Sequence, residues 1–216
     1  MSKAFQRELK LFFLIPKNIY LPISIFGIIF VIFLVLDLDN SLNYASSFIA
    51  SFITIFIISE NSFKDDHNNG YLEQKLSEGG ISDIFLYLLA KWITNVFFVF
   101  IPIAIISLIF QGHEISIELF GAYVIMLSTL YFFFNLGSAI SLKRNNSLNA
   151  LLIIPLLIPF IILVKGIFVD GQLEPNFWFL FAYFVFASSF IFYTILQVLR
   201  IQSRGDVSIC SKIFSP

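Results

Sequence analysis

Residues 63–80 read FKDDHNNGYLEQKLSEGG, the longest hydrophilic stretch of a chain otherwise made of Phe, Ile and Leu blocks. Its side chains offer two chemistries. One is metal or haem ligation through His67. The only other histidine is His113, which the topology below places on the opposite side of the membrane, so the two cannot form a compact metal site or a pair of axial ligands. The other chemistry is recognition. After the HNNG turn, Leu72 and Leu76 fall at i, i+4, with Glu73, Gln74 and Lys75 on the other faces and Gly79-Gly80 as a stop. That pattern predicts a two-turn amphipathic helix over 71–78. Such a helix suits a groove on another protein, with the leucines as anchors and Asp66 and Glu73 setting orientation against basic groups. It equally suits an idle helix lying at the membrane surface.

Other reactive groups are sparse. No GxxxxGK[ST] run is present, so the chain is not expected to bind or hydrolyse nucleotide itself. The single cysteine, Cys210, excludes an internal disulfide and a CxxC site. Ionisable residues at bilayer depth mark proton relays and ion-coupled sites. Here Lys91, Glu118 and Lys165 all read as lying near helix ends, where they can snorkel to water. Asn95 and Asn135 read as intramembrane amides that hydrogen-bond between helices, with a substrate contact as the alternative. Nothing points to an enzyme site, a bound metal or nucleic acid.

The elements that must carry the loop follow from composition. With 58% hydrophobic and 12% charged residues, 29 of them Phe, the 216-residue chain has too little polar surface for a soluble globule. A spanning helix needs about 20 apolar residues, and six segments qualify: 20–38, 42–59, 84–110, 117–141, 148–164 and 177–199. LLIIPLLIPFIILV does not alternate, which excludes a barrel. The expected fold class is therefore an all-α integral membrane protein forming one domain over 1–216. Twelve of the thirteen Lys and Arg residues fall before the first span, in 60–83 and its flank, at Lys143-Arg144, or in a tail over 200–216, leaving only Lys165 opposite. By the positive-inside rule both termini and the opening loop are cytoplasmic.

Further patterns refine this frame. In 1–19, Phe5, Leu9, Phe12 and Phe13 fall on one helical face and Lys3, Arg7 and Lys10 on the other, as in a helix lying in the headgroup plane. It reads either as a basic topology anchor or as an elbow helix before the first span. Ser47, Ala50, Ser51 and Thr54 form a small-residue face on the second span, suited to close helix packing. Pro155 and Pro159 weaken the backbone ladder of the fifth span and make it a hinge candidate.

Two blocks then carry a resemblance. SENSFKDDHNNGYLEQKLSEGG followed by LLAKWITNVFFVFIPI, with Glu60, Phe63, Asp66, Gly70, Leu72, Glu73, Gln74, Leu76, Lys91, Trp92 and Pro102, resembles the CcmB-type haem exporter permeases of cytochrome c maturation. SLKRNNSLNALLIIPLLIPFIILVKG is similar to a second block of that family, through Lys143, Arg144, Leu148, Pro155, Pro159 and Gly166. The resemblance implies an ABC-2-like permease with six spans, an elbow helix and a coupling helix, in which Phe63, Asp66, Gly70, Leu72, Glu73, Gln74 and Leu76 meet the ATPase. It implies as partners an ABC ATPase subunit, a tryptophan-rich haem-handling membrane protein, a haem chaperone and a second copy of the chain. Haem is then the pathway's cargo and ATP is held by the partner, with no cofactor on this chain. The implied location is the bacterial inner membrane, or the mitochondrial inner membrane for an organelle-encoded chain. A lipid or glycan exporter permease and a non-transporting assembly subunit are the alternatives. The family's proline-containing stretch after the loop helix is replaced by SEGGIS at 77–82.

Overall fold

In hydrocarbon a backbone amide has no water to bond, so a chain this apolar has to satisfy its peptide groups within helices. The computed structural model describes residues 3–36, 43–78, 81–110, 116–142, 149–168, 170 and 173–213, which are helical nearly throughout. The helices are α1 (Lys3–Leu14), α2 (Lys17–Leu36), α3 (Asn43–Asn61), α4 (Lys64–Asn68), α5 (Tyr71–Glu78), α6 (Ile81–Asn95), α7 (Ile101–Phe110), α8 (Ile117–Ser141), α9 (Asn149–Phe168) and α10 (Leu173–Ile213). A π-helical turn, Val96–Phe100, joins α6 to α7. Pro102 lacks the N–H that would bond the Phe98 carbonyl, and the widened turn just before it absorbs the mismatch.

The bundle is organised around α8. Ser116 caps it, its hydroxyl accepting from the Leu119 N–H at 3.1 Å, and every residue from Met126 to Ala139 is buried. A helix apolar on all sides belongs in the centre, and α3, α9 and α10 pack around this one. The small face of α3 does what its spacing predicts: Ser47, Ala50, Ser51 and Thr54 are all buried where α3 meets α2 and α8. There the Tyr123 hydroxyl of α8 accepts from Ser107 Oγ of α7 at 2.8 Å and lies 2.9 Å from Ser51 Oγ of α3. Asn95 Nδ2 donates to the Tyr131 hydroxyl at 3.2 Å, joining α6 to α8 as an intramembrane amide should.

The outer surface is apolar. Ile28, Val31, Ile32 and Val35 of α2 and Phe179, Phe186 and Phe190 of α10 are exposed in rows, a liability in water and the normal face toward lipid. Among the described residues four stretches are long and apolar enough to span: Ser46–Asn68, Asp83–Ile109, Ile117–Ser141 and Asn176–Ile201. Counting the bent pair Phe5–Leu14 and Asn18–Phe33 as one span gives five. The remaining expected segment corresponds to α9, a 20-residue helix whose described apolar portion is the shorter stretch Ile154–Phe168.

Pro155 and Pro159 lie on the exposed side of α9, which remains helical through both. Between them the Leu156 carbonyl accepts from the Tyr183 hydroxyl of α10 at 2.6 Å. Close to α9's end, a Cβ on Gly166 would come within 2.7 Å of Asn176 Nδ2, so glycine lets α10 approach there. The stretch 200–213, expected as a tail, continues α10 as helix. Lys143, Arg144 and His113 lie outside the described residues.

Two features place the opening loop. Pro16 ends α1 and starts α2, because the residue before a proline is driven out of the helical region while proline itself suits a first helical turn; the axes bend by 65°. That bend folds α1 back across α6. At the same end Ser138 Oγ of α8 donates to the Glu60 carbonyl of α3 at 3.2 Å, so α1, residues 62–78 and the end of α8 share one end of the bundle.

Candidate functional site

The loop helix forms where the sequence puts it, with α5 running from Tyr71 to Glu78. A second short helix, α4, precedes it and is not apparent from the pattern. The two meet at Gly70, whose φ of +70° is the left-handed conformation that ends many helices and that favours glycine. The Gly70 N–H bonds the His67 carbonyl at 2.9 Å, and the Gly70 carbonyl receives the Gln74 N–H at 3.1 Å. Gly70 therefore closes α4 and opens α5.

This turn points Asp66 inward. It is 5% exposed, and both carboxylate oxygens are engaged. Oδ1 accepts from Arg7 Nη2 of α1 at 2.5 Å. Oδ2 accepts from the Tyr87 hydroxyl at 2.5 Å and pairs with Lys91 Nζ at 2.7 Å, both on α6. Lys91 also donates to the Ser62 carbonyl and lies 5.1 Å and 5.5 Å above the Tyr87 and Phe63 rings. Arg7 bonds Glu8, which is also buried, at 2.8 Å and stacks 3.5 Å over the Tyr71 ring of α5. Burial holds the Tyr71 phenol above its ordinary value, so the ring stays a neutral platform for the guanidinium. Two cations and two carboxylates thus balance within one cluster, the condition under which buried charge is tolerated.

The expected contact residues separate into two rims. Phe63, Asp66 and Leu72 are buried within this chain, and Leu76 packs half-buried against its core. Leu72 is consequently not displayed as an apolar anchor, and Asp66 meets basic groups of its own chain. Gly70 and Gln74 are exposed, beside Asp65, Asn68 and Asn69. Glu73 pairs with His67 inside the loop. Two readings of basic residues are corrected as well. Lys91 does not snorkel: its side chain is 12% exposed and turned to Asp66. Arg7 does not face the headgroups but reaches the loop, because an uncompensated Asp66 beneath α1 would be far costlier to bury than a paired one.

Glu8, Tyr71 and Tyr87 were not singled out by the sequence. Tyr87 and Lys91 are four apart on α6, which puts both on one face, and that spacing is the only local signal of the cluster. Among the described residues no three His, Cys, Asp or Glu side chains are grouped to hold a metal ion.

A family model described as CcmB protein matches residues 1–196, which include every member of this cluster. The chain belongs to the CcmB family. Comparisons with curated proteins and with solved structures return no match. Membership makes the chain a multi-pass membrane permease subunit of the haem-exporter ABC system of cytochrome c maturation, with ATP hydrolysis assigned to another subunit. Within this chain, buried ion pairs from Asp66 on α4 tie the loop to α1 and α6.

Proposed function

We propose that this chain is the six-span permease of that complex and that residues 60–83 receive force from the ATPase. The exposed rim, centred on Gln74, meets the ATPase. The buried rim passes the displacement through Asp66 to α1, acting as the elbow helix, and to α6. The single observation that carries this reading is the bridging geometry of Asp66, which touches two separate membrane elements from one five-residue helix. A loop that only connected α3 to α6 would have no need of a buried carboxylate held by three donors.

The finer assignments belong to the same proposal, supported by the family and, for the topology, by the distribution of Lys and Arg. Both termini face the cytoplasm of a bacterial inner membrane, or the matrix for an organelle-encoded chain. Two copies of the permease join the ATPase, with a tryptophan-rich haem-handling protein and the haem chaperone as further partners. Haem is pathway cargo, and ATP-driven release of the loaded chaperone on the outer side is the step served. Pro155 and Pro159 give α9 the weakened ladder along which the bundle bends.

Complementation of a strain lacking the permease tests the exposed rim. Gln74→Trp puts a bulky side chain on the ATPase-facing surface without entering the core. It should leave the chain inserted, lose the ATPase in pull-down and abolish haem-stained c-type cytochrome. Normal cytochrome with the ATPase retained would remove the rim from the contact.

A further inference from the structure

Beside the ion-pair cluster, the bend between α1 and α2 encloses a groove of about 610 Å³ against α3, α6 and the loop. Its volume is that of a ligand site, and its lining is of two kinds. One part carries Arg7, Glu8, Asp65, Asp66, Asn69 and Lys91. The rest of the lining is largely apolar, with Leu21, Ile25, Ile57 and Ile58 beside Asn18 and Asn95, and it takes in Leu21 and Ile15, both exposed. A cleft lined by a charged cluster and by apolar side chains, two of them exposed, matches an amphiphile rather than a soluble metabolite.

Charge narrows the headgroup. Arg7 and Lys91 are balanced by Glu8 and Asp66, which leaves the exposed Asp65 as the surplus charge, net one negative. A purely anionic head would add to that surplus. The Arg7 guanidinium has five N–H donors, of which its pairs with Glu8 and Asp66 use one on each terminal nitrogen; the others suit a phosphate. A head bearing phosphate and a primary ammonium satisfies both groups, the phosphate at Arg7 and the ammonium donating to Asp65. A quaternary ammonium has no N–H to donate, and the charged cluster presents carboxylates rather than the aromatic cage such groups prefer.

We infer that this groove binds one phosphatidylethanolamine molecule, its headgroup between Arg7 and Asp65 and its acyl chains along Ile25 and Ile57. Bound there, the lipid braces α1 against the loop. The site requires only that the chain lie in a membrane, so its test is independent of the ATPase contact.

Native mass spectrometry of the detergent-purified, delipidated full chain reads the site directly. Offered equal amounts of phosphatidylethanolamine, phosphatidylglycerol and phosphatidylcholine, the chain should retain one phosphatidylethanolamine with at least about tenfold preference, an increment of about 1.4 kcal/mol. Asp65→Asn, at an exposed position outside the ion-pair cluster, should erase the preference. Ile25→Trp, filling the apolar part, should lower retention of phosphatidylethanolamine about tenfold. Glycerophosphoethanolamine, the head without chains, should not compete. Equal retention of the three lipids, an unchanged preference in Asp65→Asn, unchanged retention in Ile25→Trp, or displacement by the chainless head would each overturn the assignment.

Discussion

Asp66→Asn is the substitution that most directly loads the joint. Asparagine keeps the volume, so no cavity opens, but the charge facing Arg7 and Lys91 is lost and a donor amide is put among donors. At 2.5 and 2.7 Å each ion pair has a gross Coulomb energy of about 6 kcal/mol at an effective dielectric of about 20. Desolvation cancels much of this, and breaking a buried pair by removing one partner costs about 3–5 kcal/mol. The Arg7 side chain is 26% exposed, so solvent screens its share and about 3 kcal/mol is the expected penalty. That shifts the balance between docked and released loop by more than about a hundredfold. Hydrogen exchange of the amides of α4 and α5 should accelerate by about that factor, while those of α8 stay protected. In the complementation strain the ATPase should still co-purify, since the exposed rim is intact, but cytochrome c assembly should fail. Lys64→Ala is the control: it breaks a surface i, i+4 pair with Glu60 worth about 0.3–0.5 kcal/mol and should leave both readouts unchanged. Native exchange in the loop together with normal assembly in Asp66→Asn would refute the reasoning.

Two other substitutions separate packing from contact. Leu72→Ala removes a buried anchor of the loop and should destabilise the chain by about 2–5 kcal/mol, seen as a lower melting temperature in detergent; a native melting temperature would mean the side chain does not pack as described. Tyr123→Phe leaves the Ser51 and Ser107 hydroxyls short of a buried partner and should cost about 1–3 kcal/mol by the same measurement, without affecting ATPase pull-down.

Local features were legible in the sequence wherever the information was local. The Leu72 and Leu76 spacing with its glycine stops marked α5 at its observed bounds, and the serine, alanine and threonine face of α3 marked a packing face. Apolar length marked four spans among the described residues, and a fifth where the bent α1–α2 pair counts as one, while the described apolar stretch of α9 is shorter than a span. The cluster was not legible because its members are joined by tertiary contact: Arg7 and Asp66 are 59 residues apart, and no periodicity links a residue in the first helix to one in a loop. Helical spacing put Arg7 opposite the apolar residues, and from that alone it looked solvated; the buried carboxylate under α1 reversed the preference. Leu72 was likewise identified correctly as an apolar anchor but assigned to the wrong surface, since a pattern shows which face is apolar and not what covers it. The π-helical turn before Pro102 had no sequence signature beyond the proline.

The central claim is that the exposed rim of the loop touches the ATPase while the buried rim holds the bundle. A photoreactive amino acid placed at Gln74 in the assembled complex tests it most directly, with Ile158 on the exposed face of α9 as the reference site. The account predicts an ATPase adduct from Gln74 and none from Ile158. No ATPase adduct from Gln74, or equal adducts from both positions, would contradict it.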